Sequence, residues 1–125
     1  MGTMPTEPDV IYSWGAALPR TDAVVVHGRR KLRVGSMVYV SFDVDETVMG
    51  FGYPKLEREA LVASAPETFQ MPRASDLRYN WVVARLGSLD QDEASELVLD
   101  AWDMVVPRFL VRQTRLTLDM VKRED

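Results

Sequence analysis

Between Asp22 and Gly52 the chain repeatedly alternates apolar and polar residues with a period of two and breaks at short polar turns. Val38, Val40, Phe42 and Val44 alternate with Tyr39, Ser41 and Asp43, and Leu32 and Val34 alternate with Lys31 and Arg33. Ala23 to His27 is a β-branched, nearly continuous apolar run, and Thr47 to Phe51 is a fourth short strand. The breaks at Gly28-Arg29, Gly35-Ser36 and Asp45-Glu46 are too short for a crossover helix, so consecutive strands must pair antiparallel as a meander.

Helical patterns flank this block. Asp9 is placed to cap a helix through about Leu18, which Pro19 stops. Pro54 suits the first turn of a helix to about Ser64, closed by Pro66. Asn80 to Leu86 reads as a further strand. Asp90, with Glu93 three residues on, opens a helix that places Ala94, Leu97, Val98, Ala101, Trp102 and Val105 on one face. Pro107 separates it from a last helix to about Val121. Strands and helices are segregated, which defines an α+β class: an antiparallel meander with helices packed on one face. A chain of 125 residues fits one domain, here 9–121, with residues 1–8 and 122–125 expected as tails.

Composition limits the chemistry. There is no cysteine, which removes disulfides, thiolate metal sites and cysteine nucleophiles. No apolar run approaches a membrane span, and a cytoplasmic protein is expected. His27 is the one histidine and sits at a strand end beside Gly28, a poor place to build a catalytic triad. Asp43, Asp45 and Glu46 form the densest acidic cluster of the strand region, but the EF-hand pattern fails at Val48 and Pro54. Glu57, Glu59 and Asp100 are the carboxylates an acid–base site would use, though nothing in their spacing demands one. The expectation is a non-enzymatic domain with no cofactor and no metal.

Charge is uneven. The net charge is −4, yet residues 20–35 hold five bases against one acid and residues 107–125 five against three, while 36–106 hold five against thirteen. A uniformly basic nucleic-acid binder is excluded and a local basic patch is not. Period two puts Arg29, Lys31 and Arg33 on the sheet face opposite Leu32 and Val34, with Tyr39 and Ser41 beside them. At 100° per residue Arg108, Arg112, Arg115, Lys122 and Arg123 fall within about 60° of one direction on the last helix. Each stripe suits phosphates; a solvated charged edge is the commoner role of such a stripe. Arg78, Tyr79 and Trp81 supply donors and aromatic rings where a loop enters a strand, a third candidate for a ligand or partner.

An ordered set of residues also carries a family resemblance. Trp14-Gly15 closes the first helix, and Gly28 heads the basic strand. Glu57-Arg58-Glu59-Ala60-Leu61 runs into Pro66-Glu67-Thr68-Phe69. Asn80-Trp81-Val82-Val83 opens a strand, and Asp100-Ala101-Trp102 leads to Pro107. Over roughly residues 9–118 this resembles the MmcQ/YjbR family of small bacterial proteins. The resemblance implies a frataxin-like, double-wing α+β fold and a weak, salt-sensitive DNA-binding role. The alternative is a protein-interaction or regulatory module, as a homodimer for instance, that binds no nucleic acid. The chain departs from the family in its N-terminal helix and in having Asn80 where many members carry a basic residue or histidine before the strand tryptophan.

Overall fold

The computed structural model describes residues 4–124, with side chains through Val121. Six antiparallel strands form one sheet: β1 (Asp22–Val26), β2 (Arg29–Val34), β3 (Met37–Phe42), β4 (Val48–Gly52), β5 (Phe69–Gln70) and β6 (Trp81–Arg85), in the order β1-β2-β3-β4-β6-β5. Four α-helices accompany them: α1 (Pro8–Ala16), α2 (Arg58–Ser64), α3 (Gln91–Asp103) and α4 (Arg108–Glu124). The meander and the α+β class are as the alternation requires. The sheet is wider than expected by β5, a two-residue strand too short to leave a period of its own.

Local rules account for most boundaries. The β1–β2 hairpin turns on His27 and Gly28, both at positive φ (52° and 75°), the geometry of a two-residue type I′ turn. It therefore lies one residue before the expected Gly28-Arg29. Asp90 caps α3, its carboxylate accepting from the amides of Asp92 and Glu93. Asp9 does not cap α1: Pro8 occupies the first turn, Glu7 precedes it, and the Asp9 carboxylate instead meets Arg30 at 2.8 Å. Residues 4–7 are not a loose tail. The Thr6 amide donates to the carbonyls of Leu86 and Leu89, its hydroxyl donates to Leu89 at 2.8 Å, and Pro5 bridges Asp90. At the other end α4 continues past Val121 to Glu124.

The core lies between the sheet and α1 with α3. Leu32, Val40, Phe42, Met49, Phe51, Val82 and Ala84 face it from the strands, and Ala94, Leu97, Val98, Ala101 and Trp102 from α3. Each fully buried large side chain contributes about 1.5–3 kcal/mol. The Trp102 indole N–H donates to the Pro19 carbonyl at 2.8 Å, so this ring is buried without an orphaned donor. Arg30 fastens α1 to the hairpins: it pairs bidentately with Glu46 (2.6 and 2.8 Å), meets Asp9, and lies 4.7 Å over the Tyr12 ring. The Glu46 hydrogen bond, ahead of the Asp9 contact, raises its pKa.

One register change matters for the open face. Pairing runs Leu32↔Val40 and then Arg33↔Val38, so Tyr39 is an extra residue in a β-bulge. The bulge turns Tyr39 to the helix side, where it is 1% exposed and its hydroxyl lies 2.7 Å from Thr21 Oγ1. Strict alternation would have placed it beside Ser41 on the opposite face.

Candidate functional site

The sheet face away from the core carries a cavity, and Gly50 on β4 leaves room for it by lacking a side chain. The cross-strand row Val24–Lys31–Ser41–Gly50–Val83–Gln70 runs over it, with Gly52 opposite Trp81 in the next row. The resulting cavity, about 760 Å³, takes residues from β2, β3, β4, β5 and β6, from the segment between β5 and β6, and from the C-terminal end of α3 with Met104 and Val105 just beyond it. Its size suits a nucleotide-sized group.

Its distinctive feature is an aromatic platform. A Cβ on Gly50 would lie 2.6 Å from Trp81 Nε1 and 2.8 Å from two further ring atoms, so the indole rests directly on the bare backbone of β4. Trp81 is half-buried, with part of its surface open to the cavity, and Tyr79 is 51% exposed beside it. The Arg78 guanidinium sits 4.8 Å over the Tyr79 ring. Gly50→Ala should force the indole off the sheet at a stability cost of about 1 kcal/mol, since the ring is at the surface and can swing away. A red-shifted tryptophan emission would report the displacement; unchanged emission would show that the ring does not depend on Gly50.

The segment that presents these rings is held from below. Arg58, on α2, is 7% exposed although its neighbours Glu57 and Glu59 are exposed. Its guanidinium donates to the carbonyls of Tyr79 (2.8 Å), Trp81 (3.3 Å) and Leu77. Asn80 adds a second tie: its side-chain oxygen accepts from the Lys55 amide at 3.0 Å and its carbonyl from Tyr53. The run Glu57-Arg58-Glu59 reads as solvated charge; the clamp is invisible until the chain folds back on itself.

Cations ring the platform. Arg29 and Lys31 line the cavity from β2, and Arg73 and Arg78 line it from the segment before β6. Among the described residues no ion pair engages Arg29, Lys31 or Arg78, while Arg73 pairs with Asp76 at 2.9 Å. The acids within reach are already committed. Asp43 accepts from the amides of Thr47 and Val48 and from the Thr47 hydroxyl, closing the β3–β4 turn. Glu46 is held by Arg30. The two candidates read separately from sequence, the β2 cations and the Arg78–Trp81 segment, are thus walls of one cavity.

Four expected members do not join it. Arg33 shares the strand but not the cavity, and its Nε is buried without a hydrogen-bond partner. Arg115 is spent on α3, where it pairs with Asp100 at 2.8 Å and with Asp103. Arg108 and Arg112 are exposed on α4, but no α4 residue reaches the cavity. The carboxylates do not assemble either. Burial first, then the charges of Glu57 and Asp100, raises the Tyr53 phenol pKa, while Glu59 stands exposed on α2. Among the described residues no group of three histidine, cysteine or carboxylate side chains converges as a metal site, and no helix is long and apolar enough to cross a membrane.

The architecture is therefore an α+β domain with one helix-covered and one open sheet face. A solved structure with the same fold is the crystal structure of Deinococcus radiodurans protein DR2400, which has a DUF419 domain. The TM-score is 0.69 at 18% identity, covering 84% of this chain and 81% of that one. At that identity the likeness establishes the fold. The sequence matches no family model and no curated protein.

Proposed function

We propose that the open sheet face binds single-stranded nucleic acid weakly, and that the protein is a cytoplasmic binding module of MmcQ/YjbR type, not an enzyme. The observation that carries this reading is the convergence in one cavity of cations outside any ion pair and a half-buried indole with part of its surface open. Arg29, Lys31 and Arg78 offer charge to phosphates, and Trp81 and Tyr79 offer π-faces to bases. A duplex hides the faces of its bases, so a stacking platform favours single strands. The net charge of −4 limits affinity, because the remaining surface repels a polyanion. Support for the family reading comes from the ordered residues from Trp14 to Pro107 and from the shared fold with a DUF419 domain.

Fluorescence anisotropy with labelled single- and double-stranded oligonucleotides at ~50 mM salt tests it. With about three phosphates neutralised, log K should fall with log salt at a slope near −2. Reversing Arg29 and Lys31 to glutamate should abolish measurable binding. Trp81→Ala should weaken it about 5- to 100-fold, the loss of one stacked base. Absence of binding to either probe at ~50 mM salt would end the proposal.

A further inference from the structure

The outer side of α4 carries a pattern that the sheet face does not use. The helix meets the rest of the domain through Val111, which is buried, and through Leu118 and Arg115. On the side turned away, Leu116 and Met120 are 62% and 55% exposed, and Phe109 is 56% exposed with the Arg20 guanidinium 5.8 Å over its ring. At 100° per residue these three fall within about 40° of one direction, and Gln113 lies beside them. The positions 109, 113, 116 and 120 are spaced four, three and four, the seam of a heptad repeat with one polar member. Leu116, Met120 and the part of Phe109 that Arg20 leaves open form an exposed apolar stripe of the kind that marks a contact surface.

The flanking charges say which partner and in which direction. Arg112 and Asp119 occupy equivalent positions beside the seam, each directly before a core position. Both are exposed, and among the described residues neither is engaged in an ion pair. In a parallel pair of α4 helices, Arg112 would face Thr117 of the other copy and find no charge. In an antiparallel pair the four seam positions superpose about a two-fold axis. Phe109 then meets Met120, Gln113 meets Leu116, and Arg112 meets Asp119, each contact made twice. A surface that is complementary to itself under a two-fold rotation is the signature of an isologous dimer.

We infer that two copies of this chain associate through antiparallel pairing of α4, with Phe109, Leu116 and Met120 as the apolar seam and Arg112–Asp119 as the pair that sets direction. The seam spans about 16 Å and is smaller than a standard protein–protein interface, so the dimer is weak. It stands apart from the cavity on the sheet and does not depend on nucleic-acid binding. Gln113 lowers affinity and fixes register, as a polar seam residue does in coiled coils.

Sedimentation equilibrium of the full chain from about 5 to 500 µM, without nucleic acid, tests the inference. The wild type should show a monomer–dimer equilibrium in that range. Leu116→Glu should leave a monomer throughout; Leu116 is exposed, so a circular dichroism spectrum like the wild type's is expected to accompany the loss. Arg112→Glu and Asp119→Arg should each raise Kd about tenfold or more, by turning an attraction into a repulsion at both symmetric sites. The double substitution restores opposite charges only in the antiparallel arrangement and should return Kd to within about threefold of wild type. A wild type that is monomeric to 500 µM overturns the inference, as does a dimer that survives Leu116→Glu. Failure of the double substitution to restore association overturns the antiparallel geometry on which it rests.

Discussion

Replacing Arg58 with methionine should lower the free energy of unfolding by about 3–4 kcal/mol, because three carbonyls that now share one guanidinium would lose their donor together. For a domain of this size that is a fall in Tm of about 10–15 °C. Methionine fills similar space, so the loss is of hydrogen bonding and not of packing. Arg58→Lys keeps the charge, but one ammonium has no planar fork with which to reach the carbonyls of Leu77, Tyr79 and Trp81. It should recover less than half of the loss. The same substitutions free the segment that presents Tyr79 and Trp81, so any ligand of the open face should weaken with them. Thermal and urea denaturation of the two variants decide the matter. A cost below about 1 kcal/mol for Arg58→Met would mean that water replaces the guanidinium and that the segment is held by other contacts.

That clamp marks the line between what the sequence discloses and what folding adds. The β1–β4 meander, the cap at Asp90 and the buried face of α3 are written in local patterns, since period two, a capping carboxylate and period 3.6 act within a few residues. Arg58 sits between two glutamates, and only the return of the chain at residues 77–81 gives it a buried role. The cavity is similarly non-local. Arg29 and Lys31 lie some fifty residues before Trp81, and they share a wall because β6 inserts beside β4. No pattern within β6 specifies that neighbour. Arg115 fits a basic stripe on its own helix, yet Asp100 and Asp103 of α3 claim it. A helical wheel describes one helix and is silent on the helix packed against it. The resemblance in residue order anticipated the α+β fold without locating the site.

Tyr39 is the residue whose misplacement is most informative, and it carries the second large expectation. A one-residue bulge moves it from the open face to the core, where its hydroxyl meets Thr21 at 2.7 Å and reaches toward the Gly15 carbonyl at 3.4 Å. Burial, opposed by the Thr21 hydrogen bond, pushes its phenol pKa up to about 12. A phenol raised on folding keeps its proton in the folded state after the unfolded chain has lost it near pH 10. The stability it contributes is therefore intact below about pH 10 and drains away as pH climbs toward 12, by about 2–3 kcal/mol in all. Tyr39→Phe cannot ionise. At pH 8 it should be less stable than wild type by about 1–2 kcal/mol, having lost the hydroxyl and left Thr21 without its partner. As pH rises the wild type should lose that advantage, and the two stabilities should cross between about pH 11 and 12. Tyr12 and Tyr53, whose pKa values burial also raises, are common to both proteins and cancel in the difference. Urea denaturation in parallel from pH 8 to 11.5 measures it. A difference that stays constant across that range would mean that Tyr39 ionises as easily in the folded protein as in the unfolded chain, and that the bulge does not seal it from solvent.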